Sequence, residues 1–502
     1  MRTARSAPPH APAPVRSSPG PATLAVTGIA TALALMNYTA PMLTLPATAE
    51  AFGTPSSAQA WLLNGTPLGL AALLLVAGAL ADAHGRRRVF LLGTLALGVT
   101  TALGAFAGST ALFTAARIAQ GAASAAVLAG SLGLLADAYP SGRDRIRATG
   151  IWGASVSGGI ALGPLVTGAL SLLDWRLAYA ALGAATVLTA AAGARTLTGP
   201  AGADTLTAPA GADTLTDPAG AGTPADRPGP VGTGAPSRPE GSRTPSAPGA
   251  GSRPDLAGAT TLALAMAALL TALTLGRDGW LRPVIGVLLL AAVALTALFL
   301  LVERRAAQPM IDLGLLRRPD FRVAALGALF TGLAVIGLFS VVSVLLQRGA
   351  GMAPLATAWL FLLWSGTSFV VALQARRLAG RISAPYQLAL GFVLSAAGTL
   401  ALLGALDSPD LPWPRLIAGL VVAGAGSGLL NAALPRLAVD SVPPERAAMG
   451  SGANNTARYL GSAAGVALML ALSAAGPDAA VTAAAALALA GAALTVAGSP
   501  RR

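Results

Sequence analysis

Apolar residues in this chain neither alternate with polar ones nor recur on a single helical face. They run in long unbroken stretches separated by short polar breaks. A helix that crosses a bilayer needs ~20 mostly apolar residues. Fourteen stretches reach that length, at 21–45, 58–79, 89–108, 110–136, 148–170, 177–194, 257–275, 283–302, 323–346, 354–375, 385–406, 415–437, 447–473 and 479–498. Lipid offers no partner to backbone N–H and C=O groups, so a spanning segment is a helix or part of a closed barrel. Stretches that are apolar all round predict helices. The expected fold class is all-α integral membrane, with fourteen transmembrane helices.

One long segment breaks the pattern. Residues 196–255 are rich in Pro, Gly, Thr and Ala, and PAGADTLTA at 200–208 is repeated as PAGADTLTD at 209–217. That composition predicts a flexible linker, either a regulatory loop or a tolerated insertion. Six stretches precede it and eight follow. ALADAHGRRRVFLLG (79–93) is echoed by RLAGRISAPYQLALG (377–391), which pairs the second stretch with the tenth. The expected organisation is a tail over 1–20, a six-helix bundle over 21–195, the linker over 196–255 and two inserted helices over 256–302. A second six-helix bundle over 303–498 and a tail over 499–502 complete it. Transporter folds are often built from such repeats, with the substrate between them. The Pro- and Arg-rich start does not read as a cleaved signal, because the apolar stretch after it is too long for an h-region.

Charge sets the expected orientation. Of the 33 Lys and Arg residues, all are Arg. Arg176, Arg277, Arg282, Arg348 and Arg415 fall on one side, Arg117 and Arg458 lie within stretches, and the rest fall on the other side with both termini. Cytoplasmic loops carry the excess of positive charge, so both ends are expected in the cytoplasm of a plasma-membrane protein. Only 11% of residues are charged, against ~25% in soluble domains, which excludes an ordinary soluble enzyme. The net charge of +13 does not indicate nucleic acid, because the arginines sit in short clusters rather than on one basic face. There is no Cys, and His10 and His84 are the only histidines. Disulfides, thiolate metal sites and a His-based zinc site are thereby excluded. No phosphate-cradling G-x-x-x-x-G-K-[ST] loop is present, so no nucleotide or other cofactor is expected.

The candidate chemistry lies in a few positions. Gly78 to Arg88 joins the second and third stretches. Gly78 and Gly85 permit a tight turn and close backbone approach. Asp82 is the one acid there, facing Arg86, Arg87 and Arg88, and such a pairing can hold one conformation and break in another. Arg117 lies about 10 Å into the fourth stretch, where an Arg costs ~2.5–3.5 kcal/mol on insertion scales. With Gln120 one turn on, it serves either as a substrate or proton relay or as a structural bond to a neighbouring helix. Gly159 and Gly163 have the small-xxx-small spacing that lets helices approach closely, and Pro164 permits a bend. Arg458, about 16 Å deep, forms a polar cluster with Asn454 and Asn455. Asn37, Tyr38 and Thr39 form another, to which Asn64 is expected to contribute. No acid falls in the middle of a stretch.

These motifs resemble the major facilitator superfamily, and within it the fourteen-span drug:proton antiporters. Gly78 to Arg88 is similar to the family's signature between spans 2 and 3. Leu112 to Gly121, with Arg117 and Gln120, resembles its span 4 motif. Gly159 to Gly168, with Gly163-Pro164 at its centre, resembles the antiporter motif of span 5, with Ala169 for the final Gly. The resemblance implies two six-helix bundles with two inserted helices. It further implies export of small hydrophobic drugs or antibiotics by proton antiport. It assigns Gly78, Asp82, Gly85 and Arg86 to a cytoplasmic gate, Arg117 to proton transfer and Gly163-Pro164 to a bend. The family's span 1 pattern carries an Asp where this chain has Asn37, and an amide cannot titrate. With Arg117 and Arg458 unmatched by membrane acids, neutral or anionic cargo is expected over cationic. The alternatives are a dedicated exporter of one self-made metabolite and a non-transporting sensor on the same fold. A membrane enzyme is disfavoured, because no nucleophile–base pair or metal cluster is in sight.

Overall fold

The computed structural model describes residues 20–139, 142–197, 256–276, 281–306, 313–378, 381–408, 410–442 and 447–498. The expected tails and linker fall outside these residues, but for Gly20, Thr196 and Leu197. Every regular element described is helical. In chain order these are α1 (Gly20–Thr39), α2 (Pro41–Ala51), α3 (Gln59–His84), α4 (Arg86–Ala105), α5 (Thr110–Ala138), α6 (Gly142–Leu170) and α7 (Trp175–Thr196). Then follow α8 (Leu256–Leu275), α9 (Pro283–Arg305), α10 (Pro319–Phe330), α11 (Gly337–Gly349), α12 (Pro354–Leu378), α13 (Ala384–Leu400), α14 (Trp413–Asp440), α15 (Ala447–Ser473) and α16 (Pro477–Ala497).

Among the described residues, ten helices are long and apolar enough to cross a membrane, and Thr260–Leu275 and Ala384–Leu400 are apolar but shorter. The stretch expected at 385–406 ends as a helix at Leu400, because the chain then turns through Gly404 at φ +64°, a conformation that favours glycine. The first stretch also departs from expectation. It is not one helix over 21–45: α1 stops at Thr39 and α2 restarts at Pro41, running on to Ala51. The stretch at 323–346 is likewise interrupted, by a π-helical turn over Thr331–Ile336 between α10 and α11. Such turns are rare and often mark functional positions.

The helices pack in a pattern that occurs twice. α3 packs on α5, α4 on α5 and α7, and α1 on α6. Later in the chain α12 packs on α14, α13 on α14 and α16, and the α10–α11 rod on α15. The two sets meet along two seams, α3 against α15 and α6 against α12. α8 lies across the first seam, where Leu270 packs with Leu68 of α3 and Ala463 of α15. α9 packs on α8 and leaves Val287, Leu290 and Val293 exposed, as a lipid-facing helix requires.

Small residues set the closest approaches. A Cβ on Gly163 would overlap Met36 and the Thr39 hydroxyl, and one on Gly159 would overlap the Ala32 backbone. The two glycines therefore let α6 lie against α1 at backbone distance. α6 runs as one helix through Pro164, and the Thr167 hydroxyl donates to the Gly163 carbonyl at 2.8 Å. A Cβ on Gly168 would stand 3.1 Å from the Ala358 Cβ, at the α6–α12 seam. At the same end of the bundle Gln347 donates to the Leu43 carbonyl at 3.3 Å, and Arg348 to the Gln59 side chain at 3.0 Å.

Candidate functional site

The break in the first helix builds the site. In an α-helix each N–H bonds the carbonyl four residues back. Pro41 has no N–H, so the Asn37 carbonyl loses its intrahelical donor. Arg117 of α5 supplies the missing one. Its Nη1 donates to the Asn37 carbonyl at 2.9 Å, to Asn37 Oδ1 at 3.1 Å and to Gln120 Oε1 at 2.7 Å. Its Nη2 points to the Tyr38 carbonyl at 3.5 Å. Asn37 Nδ2 donates to Gln120 Oε1 at 3.2 Å, and Gln120 Nε2 donates to the Thr100 carbonyl at 3.0 Å. The guanidinium also lies 5.9 Å from the centre of the Tyr179 ring. Arg117 is 0% exposed, and all its acceptors are neutral. Among the described residues, a full positive charge is therefore held inside the bundle by dipoles, with Nε left without an acceptor.

A second cation lies across the seam. Arg458 of α15 is half-buried. Its Nη2 donates to Asn455 Oδ1 at 3.2 Å, and its guanidinium stands 5.4 Å from the Tyr459 ring centre. Its Nε has no acceptor among the described residues. Asn455 also donates to the Ser451 carbonyl at 3.1 Å. Asn454 instead reaches the Ala324 carbonyl of α10 at 3.1 Å. The link between the two arginines is Tyr38. Its carbonyl faces Arg117, its ring lies 5.8 Å from that of Tyr459, and its hydroxyl shares a 2.8 Å hydrogen bond with Ser462 of α15.

The residues expected at the gate are described in part. Gly85, at φ +93°, makes the turn between α3 and α4. Among the described residues nothing lies within 4 Å of a Cβ on Gly78. The Asp82 side chain lies outside the described residues. Asp137 at the end of α5 is an acid partner of Arg86, at 2.7 Å, and Arg86 also donates to the Gly133 carbonyl at 3.2 Å. Arg87 donates to the carbonyls of Leu197 at 2.7 Å and Ala194 at 3.1 Å. The loop is thus tied to the ends of α5 and α7. Asn64 does not join the Asn37 cluster: it is 2% exposed, and neither amide atom has a hydrogen-bond partner among the described residues.

The sequence pairs Arg117 with Gln120 and sets Asn37 in a separate polar patch, and the fold gathers all three into one network. It did not anticipate Ser462 and Tyr179, whose roles arise only from helix packing. Nor did it assign Tyr38 the task of joining the two clusters. Tyr179 shares a 2.9 Å hydrogen bond with Thr44 of α2, which anchors α2 beside the break.

Residues 27–466 match the model of the Major Facilitator Superfamily. The multidrug resistance protein Stp of Mycobacterium tuberculosis is 28% identical over 89% of this chain and 74% of its own length. The puromycin resistance protein pur8 of Streptomyces alboniger is 30% identical over 87% of this chain and 78% of its own. The human organic anion transporter MFSD10 shares the fold with a TM-score of 0.58, at 19% identity, over 95% of this chain and 99% of that one. The family match covers most of the chain, and the chain belongs to the Major Facilitator Superfamily of multi-pass membrane transporters.

Proposed function

We propose that this transporter is a secondary active exporter of small, fairly hydrophobic drugs or antibiotics across the plasma membrane. It works by alternating access coupled to proton antiport. The observation that carries the reading is the similarity to two resistance proteins over most of this chain, joined to a polar network that runs from α5 through α1 to α15. The chain crosses the membrane fourteen times, as two six-helix bundles over 21–195 and 303–498 with the helices of 256–302 inserted. The repeated packing partnerships support that division. Both termini are cytoplasmic, as the arginine distribution supports.

In this reading Arg117, Gln120 and Asn37 respond to movement of the seam, and Arg458 with Asn455 meets the cargo. Gly159, Gly163, Pro164 and Gly168 keep α6 close to α1 and α12. Gly78, Asp82, Gly85 and Arg86 form the cytoplasmic gate, which Asp137 completes. Asn37 cannot carry a proton, so coupling falls to groups at the arginine-rich end, Asp137 foremost. Cargo is neutral or anionic, because the network offers unpaired donors and no carboxylate.

Uptake of a mixed compound panel into everted vesicles, with and without an imposed pH gradient, tests the proposal. Gradient-dependent accumulation of neutral or anionic compounds is expected. Accumulation of cations alone would contradict the assigned cargo, and accumulation indifferent to the gradient would contradict proton antiport.

A further inference from the structure

A second site lies away from the central network, in a groove of about 580 Å³ between the first turns of α1 and of α6. On α1 it extends from Pro21 to Ile29, about 12 Å at 1.5 Å per residue, most of the ~15 Å depth of one leaflet. Its wall is apolar, formed by Leu24, Ala25 and Ile29 of α1 and by Ile151 of α6. Ile29 and Ile151 are 54% and 42% exposed, so the groove opens sideways. Gly28 faces Ser155, with no room for a Cβ between them, and this contact closes the inner end.

The mouth has the opposite character. Asp144 and Arg147 line it together with Tyr139. They stand three residues apart on α6, a spacing at which side chains are neighbours. Both are exposed, yet among the described residues they form no ion pair with each other or with anything else. Among the described side chains, one unpaired negative and one unpaired positive charge thus stand at the membrane-surface end of an apolar trough. A ligand that satisfies all three features carries an anion, a cation and a hydrocarbon chain. Basic pockets between membrane helices bind lipid head groups, but an acid beside the base disfavours a head group of net negative charge. Asp144 would form short charge-assisted bonds to an ammonium that carries N–H donors, and a quaternary ammonium carries none.

We propose that the α1–α6 groove binds a glycerophospholipid of the phosphatidylethanolamine type. The phosphate sits on Arg147, the primary ammonium on Asp144, and one acyl chain lies along Leu24, Ala25, Ile29 and Ile151. The site is independent of the cargo pathway and of its assignment.

Native mass spectrometry of the full-length protein, equilibrated with equal amounts of phosphatidylethanolamine, phosphatidylcholine and phosphatidylglycerol of identical acyl chains, tests it. The most tightly retained lipid is expected to be phosphatidylethanolamine, by about tenfold over phosphatidylcholine, corresponding to ~1.4 kcal/mol. Asp144→Asn is expected to bring that ratio close to one while phosphatidylcholine retention is unchanged. Ala25→Phe fills the trough from an exposed position and is expected to remove the tight site for all three lipids. Equal retention of the two zwitterionic lipids by the unmodified protein would overturn the proposal. So would a preference for phosphatidylglycerol, a ratio unmoved by Asp144→Asn, or tight retention that survives Ala25→Phe.

Discussion

Arg117 of α5 and Arg458 of α15 are both arginines within long helices of the bundle, yet the chain treats them differently. Arg117 is fully enclosed and meets a backbone carbonyl freed by Pro41, two side-chain amide oxygens and an aromatic face. Arg458 is half-buried and has a single side-chain acceptor, Asn455. The first is integrated into the packing of α1 against α5. The second retains donors that no described residue takes up. An arginine within a membrane span is therefore not one kind of signal. Its meaning depends on how many acceptors the fold brings to it, and that number follows partly from where a neighbouring helix is broken.

The sharpest break of this comparison is Arg117→Met. It strands the two Asn37 oxygens in the interior, while Gln120 Oε1 keeps its bond from Asn37 Nδ2, and each buried unsatisfied group costs ~1–3 kcal/mol. Transport is expected to be lost, with a large fall in the thermal stability of the detergent-solubilised protein. A stability close to that of the unmodified protein would show that the network is not structural. Arg458→Gln is expected to leave stability and membrane insertion intact and to raise KM for anionic compounds about tenfold, a loss of ~1.4 kcal/mol, with neutral compounds little affected. Equal losses for both classes would place Arg458 with Arg117 rather than opposite it.

Tyr38→Phe and Ser462→Ala each remove the hydrogen bond that joins the two regions, worth ~0.5–1.5 kcal/mol. Their effects on stability are expected to be non-additive in a double-mutant cycle, and strict additivity would show that the bond carries no coupling. Asp137→Asn is expected to have the smallest effect on stability. The Arg86–Asp137 pair is exposed, with side chains 36% and 60% accessible, and exposed pairs contribute at most ~1 kcal/mol. A larger change would mean that the pair is buried in some stage of the transport cycle.

The helical stretches could be read from hydropathy because lipid leaves no other solution for an apolar run of that length. The interruptions were less legible. Pro41 sits among apolar neighbours, so a stretch count runs straight through it, although proline inside a helix removes a backbone bond. The Arg117–Gln120 pair could be read from its three-residue spacing. The acceptors contributed by the Asn37 and Tyr38 carbonyls could not, because main-chain chemistry leaves no mark on residue type. Asp137 lies 51 residues from Arg86, and only the packing of α4 on α5 brings them together. Asn64 shows the opposite failure: an amide in a span suggests a shared polar patch, but it forms no hydrogen bond to Asn37 or to any other described residue.

The Arg117 network contains no carboxylate, and this bears on energy supply. In a cell whose interior is electrically negative, an anion moving outward travels down the voltage. That is worth ~2.3 kcal/mol per charge at 100 mV, or roughly a fiftyfold concentration ratio. For an anionic cargo, the membrane voltage alone would drive export at that scale. A proton moving inward would add to that force without being required to start it.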